Sequence, residues 1–405
     1  MSYSQYLYPL AQQTWGETEK AALRRVVDSD FYTMGSEVRA FEKAFANWTG
    51  AEFALMINSG SSANLLCFEA LMRPAKGQPQ LQRGDEVIVP ALAWGTTLSP
   101  VIQMGLHPKI VDIDPESLAL DPHAIKAAIT DKTKAIFLIH VLGRPADIQA
   151  IQEICDEHHL ILIEDCCESL GALYQGTHVG SFGQMGTFSF YFSHHISTME
   201  GGMIILNDEA LYNELISMRA HGWSRGRLDE KDFLAQNTHL DSRFIFLTTG
   251  YNLRPTEFQG ALGNVQLGRL SDLIKGRRDL AFRVKDYVVQ NLSWLRLIGA
   301  DVLDRENDVF HTFMCLPFML NKDAPISKAG FCQHLEAHGV ETRPIIAGNI
   351  LKHPATRYLP EGSQAECHRA DKVLDQGFMI GCHPYLKEES WGAFTNAIQA
   401  AKDLG

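Results

Sequence analysis

Three stretches of this sequence combine residue types that could do chemistry together. Asn58 to Asn64 reads NSGSSAN, follows the apolar run Phe53 to Ile57 and opens an apolar helical stretch, LLCFEALM. A strand, a Gly/Ser turn and a helix N-terminus aim backbone N–H groups and hydroxyls at one point, where the helix dipole favours an anion such as phosphate. The same residues also fit a plain serine N-cap. Glu164-Asp165 closes another apolar run, at the strand end where open α/β sheets present ligand-binding groups. A carboxylate there can hold a cation such as a protonated ring nitrogen, or it can serve as an N-cap or in a salt bridge. The third stretch, Gly186 to Gly202, is an aromatic strand, then a polar turn with His194 and His195, then Glu-Gly-Gly. Adjacent loop histidines suit acid–base work near neutrality or an ordinary surface role.

The elements that must hold these residues show as short apolar runs: Glu86 to Leu92, Pro108 to Asp114, Ala135 to Val141, Leu160 to Asp165, Gly186 to Phe192 and Gly202 to Asn207. Most intervals leave room for a helix, the βαβ pattern of a largely parallel sheet. Asp121-Pro122 ahead of HAIKAAI is an N-cap and first-turn proline, and Ile148, Ile151, Ile154 and Cys155 share one helical face. Upstream, Val38, Phe41, Phe45 and Trp48 recur at helical spacing and stop at Gly50. A longer helical pattern over 256–274 runs into the charged stretch KGRRD, Lys275 to Asp279. The expected architecture is α/β: a large domain over 1–275 with a mostly parallel sheet flanked by helices, and a smaller C-terminal α/β domain over 276–405. Helices are expected there over 326–338 and 388–402. The cleft between domains is the default ligand site.

Composition narrows the function. The chain has 405 residues, 45% hydrophobic and 21% charged, with net charge −12. No broad basic surface is available for nucleic acid. No window approaches a membrane span, and MSYSQYLYPLAQQ lacks a basic segment followed by an apolar one, so the expectation is a cytoplasmic protein. The eight cysteines are scattered without a CxxC, and disulfides are not expected.

In order and at their separations, NSGSSAN, PALAWGTTL, IEDCCESLGA, GTFSFYFSHHISTMEGG and GYNLRPTEFQGALG resemble the DegT/DnrJ/EryC1/StrS sugar aminotransferases. These are fold type I pyridoxal-phosphate (PLP) enzymes acting on nucleotide-linked keto-sugars. The resemblance implies that Gly60, Ser61, Ser62 and Ser189 bind the cofactor phosphate and that Trp94 stacks on the pyridine ring. It implies that Asp165 keeps the ring nitrogen protonated and that Glu168, usually Gln or His in the family, lies near the ring hydroxyl. Tyr251 and Asn252 match a loop that reaches the neighbouring subunit's site, implying a homodimer with shared active sites.

One departure decides the chemistry. The family's coenzyme-tethering lysine falls, by register, at His194, which cannot form that link. The pattern resembles the 3-dehydratase subgroup, where histidine replaces the lysine and pyridoxamine phosphate (PMP) is the coenzyme. TWGETE, FYTMG, RAHGWSRG and VETRPIIAGN strengthen that likeness. Implied is removal of the 3-hydroxyl from a nucleotide-linked 4-keto-6-deoxyhexose, with GDP-4-keto-6-deoxymannose preferred, as on a colitose route. His194 is expected to be the base, an imidazole titrating near neutrality, with L-glutamate recharging PMP and ammonia released. A related branch carries a [2Fe–2S] cluster; Cys167 matches one of its ligands, but Gly222 to Arg243 has no cysteine, so no cluster is expected and Cys166 and Cys167 read as buried small residues. No metal site is expected. His195 reads as a helper or structural residue. His221 and Arg225 face the sugar or its diphosphate, or else serve in surface salt bridges, and Arg343 suits the nucleotide diphosphate or the glutamate carboxylate. Two alternatives stay open: an aminotransferase with a degenerate lysine site, and a non-catalytic binding protein on the same fold.

Overall fold

The computed structural model describes residues 6–74, 77–303, 308–363 and 365–404; the first residues weighed above for a leader, 1–5, lie outside the described residues, as does 405. The apolar runs become strands β1 (Phe53–Ile57), β2 (Glu86–Pro90), β3 (His107–Val111), β4 (Thr133–Ile139) and β5 (Ile161–Asp165). After the two-residue strands β6 (Leu173–Tyr174) and β7 (Thr177–His178) come β8 (Met185–Ser189) and β9 (Gly202–Leu206). The helices are α1 (Glu17–Asp28), α2 (Ser36–Thr49), α3 (Gly60–Met72), α4 (Gly95–Gln103), α5 (Pro122–Ala128), α6 (Ile148–His158), α7 (Glu209–Arg219), α8 (Glu230–Gln236), α9 (Glu257–Asn291), α10 (Lys328–Ala337), α11 (His368–Gln376) and α12 (Glu388–Ala400). The main sheet has seven strands in the order β1-β9-β8-β5-β4-β2-β3. Pairing is parallel from β8 to β3, while β9 runs against both β8 and β1. Alternate residues of each strand enter different layers. Leu55 and Ile57 of β1 join Leu66, Phe68, Val101 and Phe137 in one core, and Ala54 and Met56 join Phe41, Phe45 and Phe188 in the other. Because both faces are covered, the strands read as near-continuous apolar runs rather than alternating ones.

The long helical pattern does not stop at the charged stretch. Helix α9 continues to Asn291, giving 35 residues and a length of about 50 Å. Arg277 and Arg278 lie inside it, buried, with their guanidiniums donating to the carbonyls of Met314 and His311. A run of charges therefore reads as a boundary in sequence but is helix interior in space, since arginine stems pack like apolar chains when their heads find acceptors. Beyond it, Leu280, Ala281, Val284 and Val288 pack against an antiparallel sheet of β10 (Leu295–Leu297), β12 (Cys315–Leu320) and β13 (Gly377–Gly381). Strand β11 (Val309–Phe310) instead pairs with β6. No helix among the described residues is long and apolar enough to cross a membrane.

Candidate active site

Strands β1, β2, β4, β5 and β8 all point the same way, so their carboxyl ends share one edge of the sheet. From those ends the chain passes into Ser59 to Ser62, Trp94, His140, Asp165 and the His194 loop. This is where an open α/β sheet binds its ligand.

The NSGSSAN segment is the N-terminus of α3. Ser59 caps it, accepting from Ser62 N at 3.1 Å, and the Ser61 hydroxyl bonds Thr96 at 3.2 Å. A Cβ on Gly60 would lie 2.7 Å from both Cys167 Sγ and Ser189 Cβ. The backbone thus touches the ends of β5 and β8, placing the N-terminus of α3, with Gly60, Ser61 and Ser62, against Ser189, an arrangement that fits a phosphate. Gly60→Ala is expected to lower stability by about 1–3 kcal/mol through overpacking and to weaken PLP binding. Thermal unfolding and a spectroscopic PLP titration check both effects; native values in each would show that the cradle tolerates a side chain.

Asp165 is buried and accepts from Asn64 Nδ2 at 2.8 Å and from Cys167 N at 3.0 Å. Asn64 Oδ1 accepts in turn from Thr187 Oγ1 at 2.6 Å. No cationic side chain among the described residues pairs with Asp165. A buried carboxylate without a counter-ion fits a protonated ring nitrogen, and Trp94, 59% exposed at the N-terminus of α4, offers a free indole. Its neighbour Glu164 is committed elsewhere, accepting from Gly180, Phe182 and Gly183 N–H groups and bonded to His140 Nε2 at 3.0 Å. Although His140, Glu164 and Cys166 place ligand atoms within 4.8 Å of one another, those bonds already saturate the carboxylate. Burial pushes the Cys166 and Cys167 thiols well up, so neither is a ready thiolate.

Glu168 accepts from Leu142 N at 3.0 Å, and burial, with a smaller push from Asp165, raises its carboxyl to about 7. Between the ordinary value of 4.5 and about 7 the folded protein holds a proton that the unfolded chain has lost, so stability falls as pH rises through that window. Glu168→Gln is therefore expected to raise the melting temperature of the coenzyme-free protein more at pH 8 than at pH 5. Equal shifts at the two pH values would remove this carboxyl from the pH dependence.

His194 is half-buried just past β8, its ring edge-on to Tyr191 at 6.0 Å and its Nδ1 without a partner. Burial first, and the Arg277 guanidinium second, lower its pKa to about 4. The structure thus corrects the expectation of an imidazole titrating near neutrality: at neutral pH this ring is the free base. His195 is wholly buried, and burial holds its ring well below the ordinary histidine range.

A second group gathers around the end of α7. His221, at φ +66°, donates its N–H to Tyr251 O at 2.7 Å, and Ala220 bridges Asn252. Tyr251 reaches Glu69 of α3 at 3.0 Å, while the side chain of the exposed Asn252 accepts from Arg254 Nε at 2.9 Å. Arg225 lines a cavity of about 430 Å³ with Arg39, Arg219, Arg254 and Trp223. No hydrogen bond among the described residues joins His221, Arg225 or Asn252 to Asp165 or His194. Arg343 lies apart again, paired with Glu341 and bridged to Met379 of β13. Sequence reasoning missed Asn64 and Thr187, which hold Asp165, and Arg277. Asn64 stood inside a quoted motif, but only the fold turns its amide toward β5.

A profile described as the DegT/DnrJ/EryC1/StrS aminotransferase family matches residues 13–399. The chain is 39% identical over 381 residues to a GDP-4-keto-6-deoxy-D-mannose 3-dehydratase of Yersinia pseudotuberculosis, covering 93% of this chain and 94% of that one. A solved E. coli GDP-4-keto-6-deoxy-D-mannose-3-dehydratase with bound hydrated PLP superposes with a TM-score of 0.88, at 36% identity and 99% coverage of both chains. A structure of GDP-4-keto-6-deoxymannose-3-dehydratase with a trapped PLP-glutamate geminal diamine gives 0.86 at 35% identity, covering 98% of this chain and 99% of that one.

Proposed function

Because the chain belongs to the DegT/DnrJ/EryC1/StrS aminotransferase family, we propose that it is a PMP/PLP-dependent lyase removing the 3-hydroxyl of a nucleotide-linked 4-keto-6-deoxyhexose. The observation that carries this reading is a histidine at 194, where amine transfer needs lysine, in a site whose carboxylate and phosphate cradle are intact. The names of the relatives favour GDP-4-keto-6-deoxymannose as substrate, and the glutamate trapped on the coenzyme of one favours L-glutamate as amino donor. The net reaction converts ketosugar and glutamate to 3-deoxy ketosugar, 2-oxoglutarate and ammonia.

When bound, the coenzyme supplies an amine for the sugar's C4 carbonyl and an electron-withdrawing protonated ring. Gly60, Ser61, Ser62 and Ser189 hold its phosphate, Trp94 covers its ring, and Asp165 keeps the ring-nitrogen proton in place. Glu168 sits by the ring hydroxyl. His194, a free base, takes a proton at a ring nitrogen and passes it to the departing 3-hydroxyl, which leaves as water. Arg343 is assigned to the glutamate carboxylate or the diphosphate, and His221 and Arg225 to the sugar diphosphate.

The same reading makes the protein a cytoplasmic homodimer in which the Tyr251 and Asn252 loop of one subunit completes the site of the other. Two features support this: among the described residues no hydrogen bond ties Asn252 to its own Asp165, and Phe244 and Phe246, a few residues before the loop, stand exposed. Incubation with GDP-4-keto-6-deoxymannose, PLP and L-glutamate tests the function. Mass spectrometry is expected to find a sugar lacking the 3-hydroxyl oxygen, with ammonia released. A 4-amino sugar without ammonia would assign the chain to the aminotransferases instead.

A further inference from the structure

A buried cation stands behind His194. Arg277 of α9 is 5% exposed, and no carboxylate among the described residues pairs with it. Its Nη1 donates to the carbonyls of Met314 at 2.9 Å and Cys382 at 2.5 Å, its Nη2 donates to the carbonyl of His194 at 3.3 Å, and its Nε has no partner. Cys382 returns a bond from Sγ to the Arg277 carbonyl at 3.4 Å. The groups that could offset the charge do not. Burial pushes the Cys315 and Cys382 thiols up to about 12, leaving them neutral. His195, His311 and His383 are also neutral, each held down by burial. Buried charges are normally ion-paired, since desolvation is otherwise recovered only from dipoles. Here four carbonyls take that part: those of Phe313, at 3.5 Å, Met314 and Cys382, which flank the paired strands β12 and β13, and that of His194, the residue read as the base.

We propose that Arg277 is the positioning residue for the acid–base step: it bolts the His194 backbone to the C-terminal strands and sets a fixed positive charge beside the imidazole. The inference rests on the reading of His194 as the base. A nearby cation disfavours imidazolium, so the ring waits unprotonated and readily surrenders any proton it takes. That is the property needed by a group that must accept a proton and then deliver it to a poor leaving group. From α9 the charge facing the ring is Arg277; on its own loop stand the neutral His195 and the edge-on ring of Tyr191. No carboxylate is among the charges acting on it.

The test reads protonation directly. Histidine-labelled, coenzyme-free protein is titrated by NMR, with His194→Asn identifying the signal. The native ring is expected to stay neutral down to about pH 5, below the ordinary histidine range. In Arg277→Gln the midpoint is expected to move up by about half a unit or more as the Coulombic part is lost. Arg277→Lys keeps the charge but has no fork to reach the strand-end carbonyls and the His194 carbonyl together, so it is expected to leave the midpoint in place while lowering kcat several-fold at unchanged KM. An unmoved midpoint in Arg277→Gln, or a shift of the same size in Arg277→Lys, overturns the proposal. Should Arg277→Gln fail to fold, native and Arg277→Lys protein suffice: a ring titrating in the ordinary range in either overturns it. Dehydration by His194→Asn would sink the base assignment separately, leaving the titration result unaffected.

Discussion

Exchanging His194 for asparagine is expected to lower dehydratase turnover by about 10²- to 10⁴-fold, the usual contribution of a positioned acid–base group. Coenzyme binding should survive, because Asp165, Ser189 and the N-terminus of α3 owe nothing to the imidazole: Asp165 bonds Asn64 and Cys167, Ser189 accepts from Tyr191 N, and the α3 serines bond one another and Thr96. His194→Lys is the sharper version. A lysine at this place restores the tether that the family's aminotransferases use, so dehydration is lost and any remaining activity goes to amine transfer. Product analysis by mass spectrometry, beside a PLP binding titration, reads both variants. Full dehydratase activity in either would take residue 194 out of the chemistry. The physical ground is that burial, and secondarily Arg277, hold the His194 ring unprotonated at neutral pH, with no hydrogen-bond partner for its Nδ1 among the described residues.

Much of this site could be read from local sequence, because its parts are strand ends and helix starts. Ser59 to Ser62, Asp165 and Ser189 each sit where a short apolar run stops, and parallel strands deliver such ends to one edge whatever the loops between them do. What sequence could not give was the support. Asn64 lies one turn into α3 and looks like any polar helical residue; only the register of β5 beside β8 puts its amide between Asp165 and Thr187. Arg277 was misleading for a related reason. In a charged run it reads as solvated, whereas burial in α9 turns it into a local field on a loop distant in sequence. The same distance hid the lowered pKa of His194, since no nearby residue in the chain announces it. His221, Arg225 and Asn252 were legible as motifs, and no hydrogen bond among the described residues joins them to Asp165.

Asp165→Asn is expected to cost about 10²- to 10³-fold in turnover, the scale seen when one preorganised electrostatic partner is removed from a water-excluded site. The substitution is nearly isosteric, so its effect is mainly charge. It also leaves a mismatch: Asn64 Nδ2 and Cys167 N both donate to the carboxylate, and an amide at 165 can accept from only one of them through its oxygen. The amide nitrogen then faces a donor, so a loss of about 1–3 kcal/mol in stability accompanies the loss of activity. Asn64→Ala separates the two contributions, because it withdraws one bond from Asp165 and leaves the Thr187 hydroxyl only the longer bond to the Glu164 carbonyl, while keeping the negative charge. If the charge is what the site needs, Asn64→Ala should be destabilised to a similar degree yet keep far more turnover than Asp165→Asn. Equal turnover in the two variants would mean that the orientation of the carboxylate, rather than its charge, is the limiting contribution. Thermal unfolding, a PLP titration and product formation measured on the same preparations decide between these outcomes, since similar losses of stability with unequal losses of turnover isolate the contribution of the charge.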